Sequence, residues 1–397
     1  MKKTVHEEKY AIVTDAFTRK SMSVIRSIGK QGYKVIALGD SIFAMGFWSS
    51  YCHKHYICKS AAENKDEFGQ LLLTLLDNLK PNKPVIFPME DASLIWCCEN
   101  IDIIKDKGCI LSPPLDSLML AENKAKTLKI AQEIGIPCPK TFFPYSKEEF
   151  IENINTMGSD DFVVKPVTSS GSLGLVYGNT LNIDGWGKYW DQYGPAVIQE
   201  RLDEKGAGIG VSILMDDKCN CIINFAHRRI HQYPISGGAG TNRISIVYPE
   251  LAEQSFKLLK HLSWTGVAMV EWKVDVNTNI PKLMEINPRF WGSLELAVRS
   301  GADFPALYAM LARNEKAAPV SDYIVGKKCR WLFPGDILRY MSEKKRKKKT
   351  ETIAQFLKGL PKEAEEWDQA DLKGFFACIL CQALLALNPK YWKYLRR

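Results

Sequence analysis

The sequence predicts a mixed α/β protein in which a doubly wound, parallel α/β part precedes an α+β part and a basic, helical C-terminal part. Three observations predict this fold class. In the first hundred residues, short apolar segments alternate with segments of helical periodicity, as in parallel sheets. From about residue 140 the strands become more frequent and are separated by turns. Beyond residue 314 the chain becomes basic and its periodicity helical.

The elements of the first part follow from apolar spacing. Met22, Ile25 and Ile28 lie on one helical face, and Gly32 ends that helix. The turn after the first strand reads DAFTRKS and lacks GxGxxG, so a dinucleotide-binding site is not supported. We expect strands at residues 10–14, 33–38 and 84–88, and helices at residues 21–31 and 68–79.

The second part opens with one helix within residues 117–139, which Gly135 closes before a proline-marked turn. The strands that follow alternate more regularly and are interrupted by single helices, which is typical of an α+β arrangement. We expect these strands at residues 161–166, 173–177, 196–199, 210–215, 222–226, 266–273 and 282–286.

Composition excludes several classes of protein. The 397 residues are 46% hydrophobic and 25% charged, which is ordinary globular composition. No apolar run approaches the ~20 residues that span a bilayer, and the N-terminus lacks the apolar segment of a signal peptide, so we expect a cytoplasmic protein. The eleven cysteines, including Cys378 and Cys381 in a CxxC pair, are expected to be reduced core residues.

The net charge of +8 is concentrated at the C-terminus. Residues 316–397 carry 18 Lys and Arg against 9 Asp and Glu, whereas the rest of the chain carries 35 against 36. This asymmetry favours an appended surface for a membrane or an acidic partner, since a nucleic-acid enzyme would spread its basic face over the folded domains.

The basic part holds two features. Residues 344–349 read KKRKKK, and residues 375–387 have Gln382 as their one polar side chain before the ending NPKYWKYLRR. This combination suits the membrane–water interface at the inner face of a membrane. A helix docked on the protein's own core, preceded by a solvated loop, is the alternative.

A loop of small residues follows the strand near residue 165. It comprises residues 168–174, with three serines and two glycines, and Lys165 precedes it. Small residues let backbone N–H groups approach a phosphate, and the lysine supplies positive charge. No Lys-Ser/Thr pair follows the glycines, so this is not a Walker A sequence. We predict a phosphate-binding loop, with an exposed hairpin turn as the alternative.

Residues of the types that bind metal ions alternate along the strand near residue 285. Glu285 and Asn287 face the same side of a strand, and Glu271 in the preceding strand can lie opposite them. Two carboxylates and an amide oxygen suit Mg²⁺ that bridges nucleotide phosphates. Arg289 follows and can bind a phosphoryl group bidentately. A solvated sheet face with an ion pair is the alternative.

Two further segments carry basic side chains. His227 and Arg228 begin the segment HRRIHQYPISGGAGTNR, which can bind phosphate or carboxylate beside a flexible glycine loop at residues 237–240. A basic strand that runs into an exposed hairpin is the alternative. His53 and His55 have the HxH spacing of metal ligands, but with no third ligand in view we expect a solvent-facing strand end.

In their order and spacing, these segments resemble the ATP-grasp superfamily of carboxylate–amine ligases, within it the group near carbamoyl-phosphate synthase and biotin carboxylase. The resemblance rests on FVVKP…SSGSLG, on IQERL at residues 198–202, on MEINPR, and on Asn123-Lys124 before the GIPCP turn. It covers roughly residues 10–314. It implies a Rossmann-like pre-ATP domain at residues 1–115, an ATP-grasp domain at residues 116–315 and a basic helical region at residues 316–397.

The resemblance also implies roles for residues. Lys124 and Lys165 would bind the α- and β-phosphates, and Arg289 would stabilise an acyl-phosphate transition state, with Arg228 and His227 near the acceptor. The implied nucleotide ligands are Lys124, Lys165, Ser169, Ser170, Gly171, Ser172, Gly174, Gln199, Glu200, Leu202 and Asp203, with Glu204 as the alternative ribose ligand, and the implied metal ligands are Glu271, Glu285 and Asn287. One departure is Ser293, which stands where biotin carboxylases carry a glutamate base.

The implied activity is that of an ADP-forming ligase. It would use ATP and Mg²⁺, or Mn²⁺ in its place, to activate a carboxylate as an acyl phosphate and couple it to an amine. A carboxylase or thiol ligase of the same fold, and a non-catalytic nucleotide-binding scaffold recruited to membranes, are the alternatives. The expected partners are the two small substrates and no nucleic acid, with peripheral membrane contact through the tail. The sequence does not identify the carboxylate, the amine or the oligomeric state.

Overall fold

Three sheets and their covering helices form a mixed α/β fold in the computed structural model, which describes residues 8–157, 161–168, 174–178, 183–235, 237–345 and 351–387. The strands are β1 (Tyr10–Val13), β2 (Lys34–Gly39), β3 (Cys52–Ile57), β4 (Val85–Phe87), β5 (Thr141–Phe142), β6 (Phe162–Pro166), β7 (Val176–Tyr177), β8 (Ala196–Glu200), β9 (Gly208–Met215), β10 (Cys221–Tyr233), β11 (Ala239–Ile246), β12 (Gly266–Val274), β13 (Pro281–Asn287) and β14 (Lys328–Arg330).

The helices cover these sheets. They are α1 (Arg19–Lys30), α2 (Lys65–Leu79), α3 (Asp91–Glu99), α4 (Ile101–Lys107), α5 (Leu115–Glu122), α6 (Lys124–Glu133), α7 (Lys147–Met157), α8 (Ile183–Tyr193), α9 (Pro249–His261), α10 (Leu294–Arg299), α11 (Phe304–Ala312), α12 (Ile337–Lys345), α13 (Ile353–Leu357) and α14 (Leu372–Leu387).

The first sheet is parallel, as the alternation of strands and helices predicts. Its strand order is β3-β2-β1-β4, so the chain leaves β1 toward one side and reaches β4 on the other. Such a reversal opens a crevice at the carboxyl ends of β1 and β4, which is where open α/β sheets bind ligands. Asp15 and Asp91 lie just beyond these two strand ends.

The largest sheet has six strands in the order β13-β12-β9-β10-β11-β14. Its antiparallel register places Glu271 of β12 directly opposite Glu285 of β13 and Gly210 of β9. A smaller sheet, β5-β8-β6-β7, carries Lys165 and the segment after residue 198. Lys282 of β13 pairs with Glu200 of β8 at 2.5 Å, so these two sheets are joined at the predicted nucleotide site.

One hydrophobic core joins the first sheet to the six-stranded sheet. Val13 and Phe87 of the first sheet belong to the same buried cluster as Phe225 and Met269 of the large sheet. Tyr308 of α11 lies between them: its ring is 4.9 Å from that of Phe87, and its hydroxyl donates to the Ile86 carbonyl at 3.0 Å. The crevice of the first sheet is thereby held against the site on the large sheet.

Several elements differ from the sequence-based expectations. β3, β5 and β11 are additional to the expected strands, and β10 continues to Tyr233, beyond the expected end at residue 226. The single helix expected within residues 117–139 is two helices, because Asn123 ends α5 and caps α6 by accepting from the Lys126 amide at 3.0 Å. The C-terminal region is not wholly helical, because β14 pairs with β11 and completes the six-stranded sheet. The division of the chain into three domains stays a prediction.

Candidate functional site

One face of the six-stranded sheet carries the candidate site. Residues paired across neighbouring strands project to the same face, so the register forms a single row of Ser245, His227, Gly210, Glu271 and Glu285. A side chain at Gly210 would collide with His227, since an added Cβ would lie 2.3 Å from its ring. The absence of a side chain at Gly210 therefore makes room for the His227 ring, which lies over this glycine.

The three predicted metal ligands lie together on this face. Glu271 and Glu285 are cross-strand neighbours, and the Asn287 amide donates to Glu271 at 3.2 Å. Arg229 forms an ion pair with Glu271, and Lys124 lies 3.6 Å from the Glu285 carboxylate. Two carboxylates and an amide, held beside cations that also suit phosphate, fit a magnesium ion that shares its coordination with a nucleotide.

Lys165 reaches the same space from the smaller sheet. Its ammonium donates to the Gln199 side chain at 2.8 Å. Burial, together with the positive charges of Lys124 and Lys273, lowers the pKa of Lys165 to about 8, although Glu285 and Glu271 favour its charged form. A further anion beside Lys165 would favour its charged form, and a polyphosphate would supply one.

The segment predicted to contact adenine runs along the edge of this space. Gln199 is buried between Lys165 and Thr141, and its amide donates to the Thr141 hydroxyl at 3.0 Å. Glu200 pairs with Lys282, and the Leu202 carbonyl accepts from Lys273 at 3.2 Å. Two lysines of the large sheet thus fix the segment in place.

The structure describes both candidate ribose ligands but only part of the predicted phosphate loop. Asp203 accepts from the Lys205 amide at 2.7 Å, and Glu204 pairs with Arg201 at 2.9 Å, so neither is favoured over the other. Gly174 has a φ of 72°, which favours glycine. The remaining loop residues, Ser169, Ser170, Gly171 and Ser172, lie outside the described residues.

Arg289 lies between the large sheet and the crevice of the first sheet. Its Nε is 2.7 Å from Asp91 and 3.6 Å from Glu90. Burial opposes its charge, but Asp91, Glu90 and Glu122 together raise the pKa of Arg289. The guanidinium is therefore held as a fixed positive charge at the junction of the two sheets.

Several carboxylates that the sequence analysis did not assign to the site surround Arg289. Burial and the neighbouring Asp91 raise the pKa of Glu122 to about 7. Lys20 of α1 lies 3.2 Å from Glu90, and burial together with the charge of Arg289 lowers the pKa of Lys20 to about 8. A small cavity opens among these groups and the metal candidates, lined by Asp91, Glu122, Lys124, Glu285, Asn287 and Arg289.

The arginine assigned to the acceptor side needs correction. Arg228 is exposed and lies on the opposite sheet face from His227 and Glu271, because successive residues of a strand point to opposite faces. Arg229 is the arginine that faces the site. The segment itself is a strand and a hairpin, as the structural alternative for residues 227–243 predicted, with Gly240 inside β11.

His227 faces the site but is held neutral. It is buried, and its Nε2 lies 3.3 Å from the Ser293 hydroxyl. Burial, and next the charges of Arg243 and Arg229, lower its pKa to about 3. A histidine with so low a pKa is a poor proton acceptor near neutral pH. It pairs with the serine that stands in place of the glutamate base of biotin carboxylases.

Several site residues escaped the sequence analysis, although a signal existed for most of them. Lys273 lies two residues from Glu271 and so faces the same side of β12. Lys282 lies opposite Lys273, but it is three residues from Glu285, and only a register shift in the β12–β13 pairing brings it to this side. Asp91 begins α3 in the turn after the parallel strand β4, and the carboxyl ends of such strands form sites. Arg229 stands two residues from His227, which alternation places on the same face.

The structure does not support a metal site at His53 and His55. His53 and His55 lie on exposed positions of β3, and the ring of His55 stacks on Phe47 at 4.5 Å. Within the described ranges, no group of three or more His, Cys, Asp or Glu side chains could hold a metal ion. All eleven cysteines are described and unbridged, and both residues of the CxxC pair are buried, as expected for core residues.

Part of the chain matches a known protein family. Residues 218–331 match the family described as "ATP-grasp in the biosynthetic pathway with Ter operon". The large chain of carbamoyl phosphate synthase from Clostridium acetobutylicum is 21% identical over 249 residues, and its arginine-specific mitochondrial counterpart from Neurospora crassa is 23% identical over 245. The matches cover 55% and 56% of this chain but only 23% and 21% of those much longer proteins.

Solved structures share the fold over most of the chain. The biotin carboxylase domain of 2-oxoglutarate carboxylase from Hydrogenobacter thermophilus, solved with MgADP, ADP and bicarbonate, has a TM-score of 0.63 at 14% identity, covering 80% of this chain and 73% of that one. N5-carboxyaminoimidazole synthetase from Staphylococcus aureus has a TM-score of 0.60 at 16% identity, covering 81% and 82%. Residues 218–331 thus match an ATP-grasp family model, and the chain shares the fold of these solved structures over 80–81% of its length.

Proposed function

We propose that this protein is an ATP-dependent carboxylate–amine ligase that forms ADP and an amide. One observation carries the proposal: Lys124 of α6 and Lys165 of β6 lie near the metal candidates Glu271, Glu285 and Asn287 of the six-stranded sheet. Lys124, Glu285 and Asn287 also line one small cavity. Two cations for phosphate next to two carboxylates and an amide for a metal suit a bound magnesium nucleotide.

The nucleotide would lie between the six-stranded sheet and the smaller sheet. Lys124 and Lys165 would bind its phosphates, and the loop of Ser169–Gly174 would cover them. Gln199, Glu200 and Leu202 would line the adenine slot, with either Asp203 or Glu204 on the ribose. In this proposal, residues 1–115 form a Rossmann-like pre-ATP domain, residues 116–315 the ATP-grasp domain and residues 316–397 a C-terminal region.

A metal ion would be held by Glu271, Glu285 and Asn287, and when bound it neutralises negative charge on the phosphoryl group that is transferred. Arg229 holds Glu271 in place from β10, which β9 separates from β12, and Lys124 of α6 pairs with Glu285. The two carboxylates therefore keep their positions through ion pairs with another strand of the sheet and with a helix.

The carboxylate substrate would bind on the side of Arg289. One of its oxygens attacks the γ-phosphorus of ATP, the bond to the ADP oxygen breaks, and an acyl phosphate forms. An amine then attacks the acyl carbon, phosphate leaves, and the nitrogen gives up a proton. Arg289 is suited to stabilise the charge that develops, because Asp91 and Glu90 hold its guanidinium at the crevice where the first sheet can present a second substrate.

The test measures ADP release and the intermediate separately. Purified protein is incubated with Mg²⁺–ATP and pools of small carboxylates, with hydroxylamine as the trapping amine. We expect ADP release that depends on one carboxylate and yields its hydroxamate. A carboxylase would require bicarbonate and a thiol ligase would require the thiol. ATP binding with no substrate-dependent ADP release in any pool would favour a nucleotide-binding scaffold and contradict the proposal.

A further inference from the structure

The C-terminal helix α14 docks on the protein through an unusual face. Cys378 and Cys381 are buried, and the Cys378 sulfur lies 3.7 Å from that of Met45, in a cluster that also contains Met22 of α1. Gln382, the one polar side chain in residues 375–387, is also buried, with 4% of its surface exposed. The polar residue of this apolar segment thus points into the protein.

The opposite face of α14 is apolar and exposed. Leu372, Phe376, Leu380 and Leu384 follow one another at intervals of four residues, which keeps them on one side of a helix. Their exposed fractions are 45%, 64%, 60% and 40%. We call these four residues the α14 stripe. A helix with its polar residue inside and its large apolar residues outside is the reverse of a normal surface helix, which indicates that the stripe is covered in use.

The surroundings of the stripe indicate what covers it. Lys373 and Trp48 lie at its edge, with the Lys373 ammonium 5.8 Å from the Trp48 ring. The ten residues after α14 read NPKYWKYLRR, with four basic and three aromatic side chains and no acidic one. Aromatic rings and cations that flank an apolar face are the composition of helices that lie in the interface of anionic membranes.

We propose that the α14 stripe inserts into the surface of a membrane that contains anionic lipids, with α14 lying along that surface. Nowhere in the described ranges is there a helix long and apolar enough to cross a bilayer. A second copy of the chain is a weaker occupant, since four side chains fall far short of the roughly 20–30 residues that each side of a standard protein interface contributes. The two sequence-based alternatives for the tail are therefore compatible: one face of α14 docks on the protein and the other faces lipid.

Vesicle flotation of the full-length protein tests this proposal. Vesicles of neutral phosphatidylcholine are compared with vesicles in which about one lipid in three is phosphatidylglycerol. The variant F376S/L380S/L384S should lose about 100-fold or more in affinity for the anionic vesicles, because three apolar side chains no longer enter the interface. Its melting temperature should stay unchanged, since these side chains are exposed. A large fall in melting temperature would show that the stripe is packed inside the protein and overturn the proposal.

A matched variant controls for the loss of apolar surface. I57S/V247S/I324S removes three residues that are 56–59% exposed and lie away from α14, and it should bind anionic vesicles as the wild type does. Equal losses in both triple variants, or no binding by the wild type at low salt, would contradict a specific membrane face.

Two further measurements test whether the chain's own end or a second copy, and not lipid, covers the α14 stripe. Truncation after Leu387 should weaken binding and reduce the preference for anionic lipid, because it removes the four basic residues. Stronger binding after truncation would show that the chain's own end covers the stripe. A dimer in lipid-free buffer that F376S/L380S/L384S dissociates would show that a second copy covers it. Either result would overturn the proposal, and neither depends on the proposed ligase activity.

Discussion

At the scale of single residues, the candidate site depends on which of two adjacent arginines faces Glu271. Arg229 pairs with Glu271, whereas Arg228 is exposed on the other face of the same strand. A sequence shows that neighbours in a strand face opposite sides, but only the register with β9 and β12 shows which side holds the carboxylates. The same rule, applied from His227, favours Arg229.

This pair gives the first prediction. Arg229→Gln should lower the rate of ADP release about 10- to 100-fold, because Glu271 loses a charge-assisted hydrogen bond from its positioning residue. It should also shift the Mg²⁺ concentration that gives half-maximal rate, which a merely structural role would leave unchanged. Arg228→Gln, the matched control, should behave as the wild type. Equal effects of the two substitutions would contradict the assignment of the site face.

Lys165 gives a second prediction, through the pH dependence of nucleotide binding. Burial and the adjacent lysines lower its pKa to about 8 without nucleotide, and a bound phosphate should raise that pKa again. The charged form binds, so ATP affinity should be level well below pH 8 and should fall as the pH rises above 8. Isothermal titration calorimetry between pH 6.5 and 9.5 measures this, in buffers of different ionisation enthalpy.

Lys165→Met is the control for that experiment. It should weaken ATP binding by about 1.5–3 kcal/mol, as expected for the loss of one charge-assisted contact, and should remove most of the decline above pH 8. A folded Lys165→Met protein with normal ATP affinity would show that this lysine does not touch the phosphates.

At the scale of elements, the sequence predicts long buried strands well and short edge strands poorly. β9, β12 and β13 lie where apolar periodicity places them, with ends that shift by one or two residues. β3 (CHKHYI) is an edge strand whose polar positions lack the apolar alternation, and β14 has only three residues. Such short strands form because an adjacent strand offers unpaired backbone N–H and C=O groups. The local sequence does not indicate that this adjacent strand is there.

The pairing of β12 with β13 gives the third prediction. Glu285→Gln keeps the shape of the side chain but removes a charge beside Glu271, its cross-strand neighbour. Turnover should fall by at least about 100-fold, while ATP affinity changes by less than about tenfold, because the metal acts mainly on the transferred phosphoryl group. Higher Mg²⁺ should restore turnover only in part. Single-turnover and equilibrium binding measurements separate the two effects, and near-normal turnover would rule out Glu285 as a metal ligand.

At the scale of the whole molecule, the C-terminal region is part of the folded body. Glu365 forms ion pairs with Arg19 of α1 and Arg243 of β11, and both arginines also donate to the Gly292 carbonyl. Residues 363–371 therefore tie the first sheet to the large sheet beside the loop that follows Arg289. Counting charges along the sequence finds a basic tail but not the ion pairs of Glu365, because each of them joins residues more than a hundred positions apart.

The fourth prediction tests that connection through Asp371. This carboxylate is fully buried, accepts from Arg26 Nε at 2.9 Å and also accepts from Ser49 and Ser50. Asp371→Asn leaves the Arg26 guanidinium buried without its counter-charge, which should lower the free energy of unfolding by about 3–5 kcal/mol. Chemical and thermal unfolding, followed by circular dichroism, measure this change.

Asp368→Asn is the matched control, because it removes the same charge from the same segment. Asp368 pairs with Lys30 at 2.5 Å, but that lysine is half exposed, so the loss should be about 1 kcal/mol or less.

Burial opposes the charge of Asp371, yet hydrogen bonds from Ser50, Arg26 and Ser49 lower its pKa. A lowered carboxyl pKa stabilises the fold above the unfolded-state value of about 3.9 and loses that effect as the pH falls below it. The difference between wild type and Asp371→Asn should therefore be full at pH 7 and shrink below about pH 4. Equal destabilisation by the two substitutions, or a difference that persists in acid, would show that this ion pair does not anchor residues 363–371 to α1.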